Sequence, residues 1–153
     1  MIKEQFNALS ALSELFVSNK WVELENGTLS LIDKANENKI IGLYGFVMHI
    51  TTTYLGLIAL KKNEIELAKE HLINSLLVPT SPYLKSAGPN MLVAKKLLAL
   101  GETAVVSDYI ILCAANWGIP LRIFYIGNWK RALKKGNTPD LKHYTDIQIK
   151  QLH

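Results

Sequence analysis

Along residues 3–20 the apolar side chains fall at Phe6, Leu9, Leu12, Leu15 and Phe16, intervals of three and four that draw one stripe down a helix. Residues 21–30 carry Asn26-Gly27 between Val22, Leu24, Leu29 and Leu31. Such a pair can close a β-hairpin, but with few strand signals elsewhere it predicts a turn leading into a second helix. A helical pattern then runs from Asn38 to Leu60, breaks at Lys61-Lys62-Asn63, and resumes from Glu64 to Leu77. A connection that short makes the two helices antiparallel. Pro79 and Pro82 end the second one, and a loop is expected from there to Gly88-Pro89-Asn90, with Gly88 or Asn90 capping the next helix. That helix covers residues 91–100 and stops at Gly101, a left-handed cap; another covers residues 102–116. After Gly118 and Pro120, residues 121–135 are helical again and Gly136-Asn137-Thr138-Pro139 closes them, leaving residues 140–153 as a tail or one short helix. The reading is a single all-α domain over residues 1–153, built of stacked antiparallel helix hairpins.

Small residues at fixed places sharpen the middle of this pattern. Leu55, Gly56 and Ala59 on one helix face Ala68, Leu72 and Ser75 on the next, and Pro79 follows at the terminating position. A glycine inside a helix costs about 1 kcal/mol relative to alanine, which close backbone approach would justify. Residues 49–80 resemble a tetratricopeptide unit on these positions, although Thr52 stands where an aromatic is usual and Ala59 where a tyrosine is. Residues 89–116 form a second hairpin of similar size without the signature, and residues 119–135 a basic-aromatic helix.

The chain is also similar to a family of small bacterial helical proteins in three segments. These are Leu55-Gly56-Leu57-Ile58-Ala59-Leu60 with Ala68-Lys69-Glu70-His71-Leu72, then Ser81-Pro82-Tyr83-Leu84 through Gly88-Pro89-Asn90-Met91, then Ile126-Gly127-Asn128-Trp129 through Gly136-Asn137-Thr138-Pro139-Asp140. The resemblance covers about two-thirds of the chain and implies a helical-repeat fold without implying a reaction. Small helical-repeat proteins of this size include immunity partners of bacterial toxins, an analogy of kind.

Composition narrows the classes further. Nearly half of the 153 residues are apolar, which excludes disorder and supplies a core. The net charge of +4 is carried almost wholly by lysine, since Arg122 and Arg131 are the only arginines, and a phosphate site usually leans on arginine forks. Cys113 is the sole cysteine, so no internal disulfide forms. Residues 1–5 lack the layout of a secretory signal. Residues 40–60 are apolar enough to test as a membrane span, but Gly42, Gly45, His49 and three threonines dilute them and predict a buried helix instead. The expected location is the cytoplasm, and heavy use of Ile, Lys and Asn suggests a bacterial source.

Little in the chain carries chemistry. His49, His71, His143 and His153 are scattered without metal-ligand spacing, and no metal or other cofactor is expected. Cys113 follows Ile110-Ile111-Leu112 and reads as a buried small hydrophobe. Glu64, Glu66, Glu70, Glu102 and Asp108 lie beside lysines or at helix starts, as solvated ion pairs do. Gly42-Leu43-Tyr44-Gly45 lacks the lysine of a phosphate loop.

One segment mixes aromatic and basic residues: Arg122, Phe124, Tyr125, Trp129, Lys130, Arg131, Lys134 and Lys135. As a plain amphipathic helix it would turn Phe124 and Trp129 inward and its lysines to water. As an interface it would offer aromatic and arginine anchors. The candidate partner-binding residues are therefore Arg122, Tyr125, Trp129, Lys130 and Arg131, with Tyr83, Lys85 and Asn90 from the proline-bounded loop. The expectation is a non-enzymatic module that binds one protein, a bacterial neutralising or immunity protein being preferred. The alternatives are a generic adaptor for a peptide or protein, or a nucleic-acid-associated helical protein.

Overall fold

The first apolar stripe runs out after Phe16, and the first helix ends with it. The computed structural model describes residues 1–118 and 122–141, the Arg122 side chain excepted. Helix α1 spans Ile2–Val17 and α2 spans Trp21–Glu37. Asn19 makes the turn between them with a left-handed backbone at φ 57°, a conformation that asparagine tolerates better than most residues. Asn26-Gly27 does not turn the chain, contrary to the sequence expectation. Both residues lie inside α2, and a Cβ on Gly27 would come 2.9 Å from Leu12 Cδ2 of α1. The glycine serves close helix approach rather than a positive φ.

Helix α3 spans Tyr44–Lys61 and begins later than the apolar pattern suggests, because Gly42 takes a φ of 83° just before it. Asn63, at φ 61°, then reverses the chain into α4, Ile65–Asn74. Helix α4 ends ahead of Pro79, where Ser75, Leu76 and Leu77 form tight turns, with Ser75 Oγ donating to the Leu72 carbonyl at 2.8 Å. The stretch expected as a loop contains a short helix, α5, Pro82–Ala87. Ser81 caps it by accepting the Leu84 N–H, Pro82 occupies the first turn where no N–H is needed, and Gly88 ends it at φ 79°. Helices α6, Leu92–Ala99, and α7, Thr103–Cys113, follow as a hairpin around Gly101 at φ 86°. A 3-10 turn covers Ala114–Asn116. A π-helical turn, Arg122–Ile126, leads into α8, Gly127–Lys134, which replaces the single helix expected over residues 121–135. Residues 119–121 and 142–153 lie outside the described residues. Among those described there is no strand.

Helix α3 is the axis of the molecule. It touches α2 and α4 along its length, and α1, α5 and α6 as well, while α4 in turn meets both α6 and α7. A helix enclosed on every side needs no polar face, which is why its sequence resembled a membrane span. No described helix is long and apolar enough to cross a membrane. Two of the threonines that dilute it are buried without loss, because Thr51 Oγ1 donates to the Val47 carbonyl at 2.9 Å and Thr53 Oγ1 to the His49 carbonyl at 2.8 Å. Ala59, Ala68, Leu72 and Ser75 are all buried between α3 and α4. Gly56 is buried too, yet its nearest neighbour is on α6. A Cβ there would meet Val93 Cγ2 at 3.1 Å and His71 Cβ of α4 at 3.5 Å. The bare spot lets the second hairpin seat on the first.

Candidate functional site

Two polar or aromatic constellations stand out, one wholly inside the fold and one on its surface. The inner one gathers residues from four parts of the chain. His49 of α3 is fully buried, with Nδ1 2.8 Å from the Ser75 carbonyl and Nε2 2.9 Å from the Asn90 backbone nitrogen. The Asn90 N–H can only donate, so Nε2 accepts, and the proton sits on Nδ1 and donates to Ser75. Tyr109 of α7 donates its hydroxyl to the Asn90 carbonyl at 2.6 Å, and Asn90 Oδ1 receives the Leu92 N–H at 2.8 Å. Burial lowers the His49 pKa to about 4, keeping the ring neutral, and raises those of Tyr109 and Cys113, keeping hydroxyl and thiol protonated. A buried neutral histidine and a buried thiol without access to water make a structural knot. The Gly-Pro-Asn-Met segment thus ties α6 and α7 to α3.

The surface constellation is built outward from Trp117. Gly88 lies so close to this ring that a Cβ there would come 2.8 Å from Trp117 Cε2, so the glycine leaves the room the indole needs. Trp117 stacks on Tyr125 at 5.9 Å between ring centres and lies 5.7 Å from Trp129. Trp129 is buried and donates Nε1–H to the Asp140 carbonyl at 3.1 Å. With Trp129 and Leu133 turned inward, α8 presents Lys130, Arg131 and Lys134 outward. No acidic residue occurs on α8, and none of these cations forms an ion pair among the described residues. Phe124, instead of facing inward beside Trp129, is 70% exposed, and Ile123 is 66% exposed. Between α7 and α8 runs a groove of about 370 Å³ lined by Thr103, Ser107 and Ile111 on one side and Lys130, Leu133 and Lys134 on the other.

The structure separates the partner-binding residues expected from the sequence. Lys130 and Arg131 are exposed on α8, and Tyr125 is half-buried in the aromatic cluster beneath them. Trp129 and Asn90 are interior residues occupied by the contacts just given. The Arg122 side chain lies outside the description. Lys85 is exposed on α5, and Tyr83 leans against Phe6 at 5.4 Å and Phe46 at 6.1 Å, a cluster of α1, α3 and α5 apart from α8. The exposed Ile111, Ile123 and Phe124 are not among the partner-binding residues expected from the sequence, although Phe124 belongs to the mixed aromatic and basic segment. Inside the run Ile110-Ile111-Leu112 the sequence does not say which apolar residue faces out.

A second groove, of about 310 Å³, lies between α1 and α2 and holds charges of both signs, Glu4 and Lys34. No group of three or more His, Cys, Asp or Glu side chains gathers closely enough to hold a metal among the described residues. Comparison with protein-family models, curated proteins and solved structures yields no match to this chain.

Proposed function

We propose that this chain is a non-catalytic protein-binding module, a tetratricopeptide-like stack of helix hairpins whose working face is the exposed end formed by α7, the π-helical turn and α8. The observation that carries this reading is the pairing of exposed Ile123 and Phe124 with cations on α8 that form no ion pair among the described residues. Exposed aromatic and aliphatic side chains beside unpaired charges are the usual anchors of a protein contact. The stack reading is supported by the order of contacts, with α1–α2, α3–α4 and α6–α7 as hairpins and each resting on its predecessor. The interior supports a binding role as well, since its histidine and tyrosine are committed to holding the hairpins together and its thiol is buried.

Within that class the preferred role is neutralisation of one bacterial protein, in the manner of an immunity protein. Such a protein acts by covering its partner's active surface, which needs complementarity and no reacting group. The test is affinity capture from a native host, comparing the wild type with Phe124→Asp and with Lys130→Glu/Arg131→Glu. One protein should be retained by the wild type, lost by both variants, and toxic when expressed without this chain. Retention of the same proteins by all three forms would overturn the reading.

A further inference from the structure

We infer that the groove between α7 and α8 receives an acidic segment of a protein partner, anchored by one large apolar side chain; the inference rests on this end being the working face. The floor is apolar, made by Leu133 and by Ile111, which is 52% exposed and available to a partner. Lys130 and Lys134 form one rim. They stand one helical turn apart, with Cβ atoms about 5–6 Å from each other, a spacing that carboxylates at i and i+4 of a helix also have. The opposite rim offers the hydroxyl-bearing Thr103 and Ser107, and no acidic residue lines the groove among the described residues.

Neighbouring charges favour an anion as well. Glu102, at the start of α7, is held by Lys69 at 3.0 Å, which offsets its charge. Thr103 begins an eleven-residue helix, whose N-terminal end carries partial positive charge. The exposed Asp108 lies on α7 but does not line the groove. Carboxylates over the lysine rim and an aliphatic side chain over Ile111 and Leu133 complement these surfaces.

A nucleic acid fits less well. Stacking platforms need outward aromatic faces, and here Trp117, Tyr125 and Trp129 are engaged with one another. Among the described aromatics of this end only Phe124 projects, and the rim is lysine rather than arginine. Lysine is a point charge that accepts a carboxylate without the forked geometry phosphate sites use.

The experiment is fluorescence anisotropy with the full chain and four probes. They are a helical peptide with glutamates at i and i+4 flanking leucine, its Glu→Gln version, its Leu→Ser version, and a single-stranded oligothymidine. The first peptide should bind saturably. Either peptide change should weaken it about tenfold or more, the scale of a lost charge-assisted hydrogen bond or a lost buried aliphatic group. Lys130→Glu/Lys134→Glu and Ile111→Ser should do the same, while a remote reversal, Lys3→Glu, should leave binding unchanged. These groove substitutions lie at exposed or rim positions, and an unchanged thermal melt checks that each variant is folded. No saturable peptide binding, binding indifferent to the groove variants, or tighter and more salt-dependent binding of the oligonucleotide would overturn the inference. If Phe124→Asp abolishes partner capture while Ile111→Ser and Lys130→Glu/Lys134→Glu leave it intact, the groove assignment falls and the working face stands. If none of these variants affects capture, both fall.

Discussion

Protonating His49 should loosen the junction between the hairpins, and the size of the effect follows from its surroundings. In the neutral ring Nδ1–H donates to Ser75 and Nε2 accepts from Asn90. A proton added at Nε2 would point at the Asn90 N–H, and the new charge would be fully buried. Burial therefore lowers the folded-state pKa from the ordinary 6.5 to about 4, the Ser75 bond offsetting part of the shift. A depressed pKa means that the unfolded chain binds the proton more readily than the folded one. The contribution to stability is complete above pH 6.5, declines between 6.5 and 4, and is gone below 4. At 1.36 kcal/mol per pKa unit the loss comes to about 3 kcal/mol, a large part of the 5–15 kcal/mol that holds a typical domain together. Urea unfolding of the wild type and of His49→Gln across this range isolates the term, because the other groups titrate in both. The variant should be less stable at pH 7 and should lack about 3 kcal/mol of the acid-induced loss. A histidine Cε1 proton resonance for His49 that titrates above pH 6 in the folded protein would refute the reasoning, as would parallel pH profiles for the two proteins.

Other substitutions test the packing. Gly45→Ala places a Cβ 1.9 Å from the Pro79 carbonyl oxygen, a backbone atom, and should destabilise by about 3 kcal/mol or more in chemical denaturation. By contrast, Gly27→Ala meets only the end of the Leu12 side chain at 2.9 Å, and better helix propensity offsets it, so its unfolding midpoint should shift by about 1 kcal/mol or less. Tyr109→Phe leaves the buried Asn90 carbonyl without its donor and should lower stability by about 1–2 kcal/mol in the same assay. Cys113 is fully buried and its thiol pKa is raised, so labelling by a disulfide reagent should be slow in the native protein and should track the global unfolding equilibrium under mild denaturant.

Much of the helical layout was legible from local signals. The stripe of α1, the polar break after α3, Gly101 as a left-handed cap and the close of α8 near Gly136 each rest on neighbours in sequence. Local signals failed where a residue answers to a distant contact. Gly27 reads as a turn but serves the approach to Leu12, and Gly56 reads as the mate of α4 alone but is met first by Val93 of α6 and then by His71 of α4. Asn90 reads as an exposed loop residue, yet three backbone or side-chain bonds hold it inside. The candidate site was legible in its chemistry, basic and aromatic together, and not in its geometry. A packed indole and an exposed phenyl have the same hydrophobic signature until the neighbouring helices are in place, so Trp129 inside and Phe124 outside could not be told apart.

The sequence by itself determined that the chain is helical, where its apolar mass lies and that its charge is mainly lysine, because those properties depend on composition and on periods of three and four residues. The tertiary structure decided that α3 is enclosed on all sides, that His49, Asn90 and Tyr109 form one buried knot, and that Lys130 and Lys134 border the same groove as Ile111. Each of these depends on contacts between residues far apart along the chain. Which side chains meet there is set by how whole helices cross, and a local pattern does not encode that crossing.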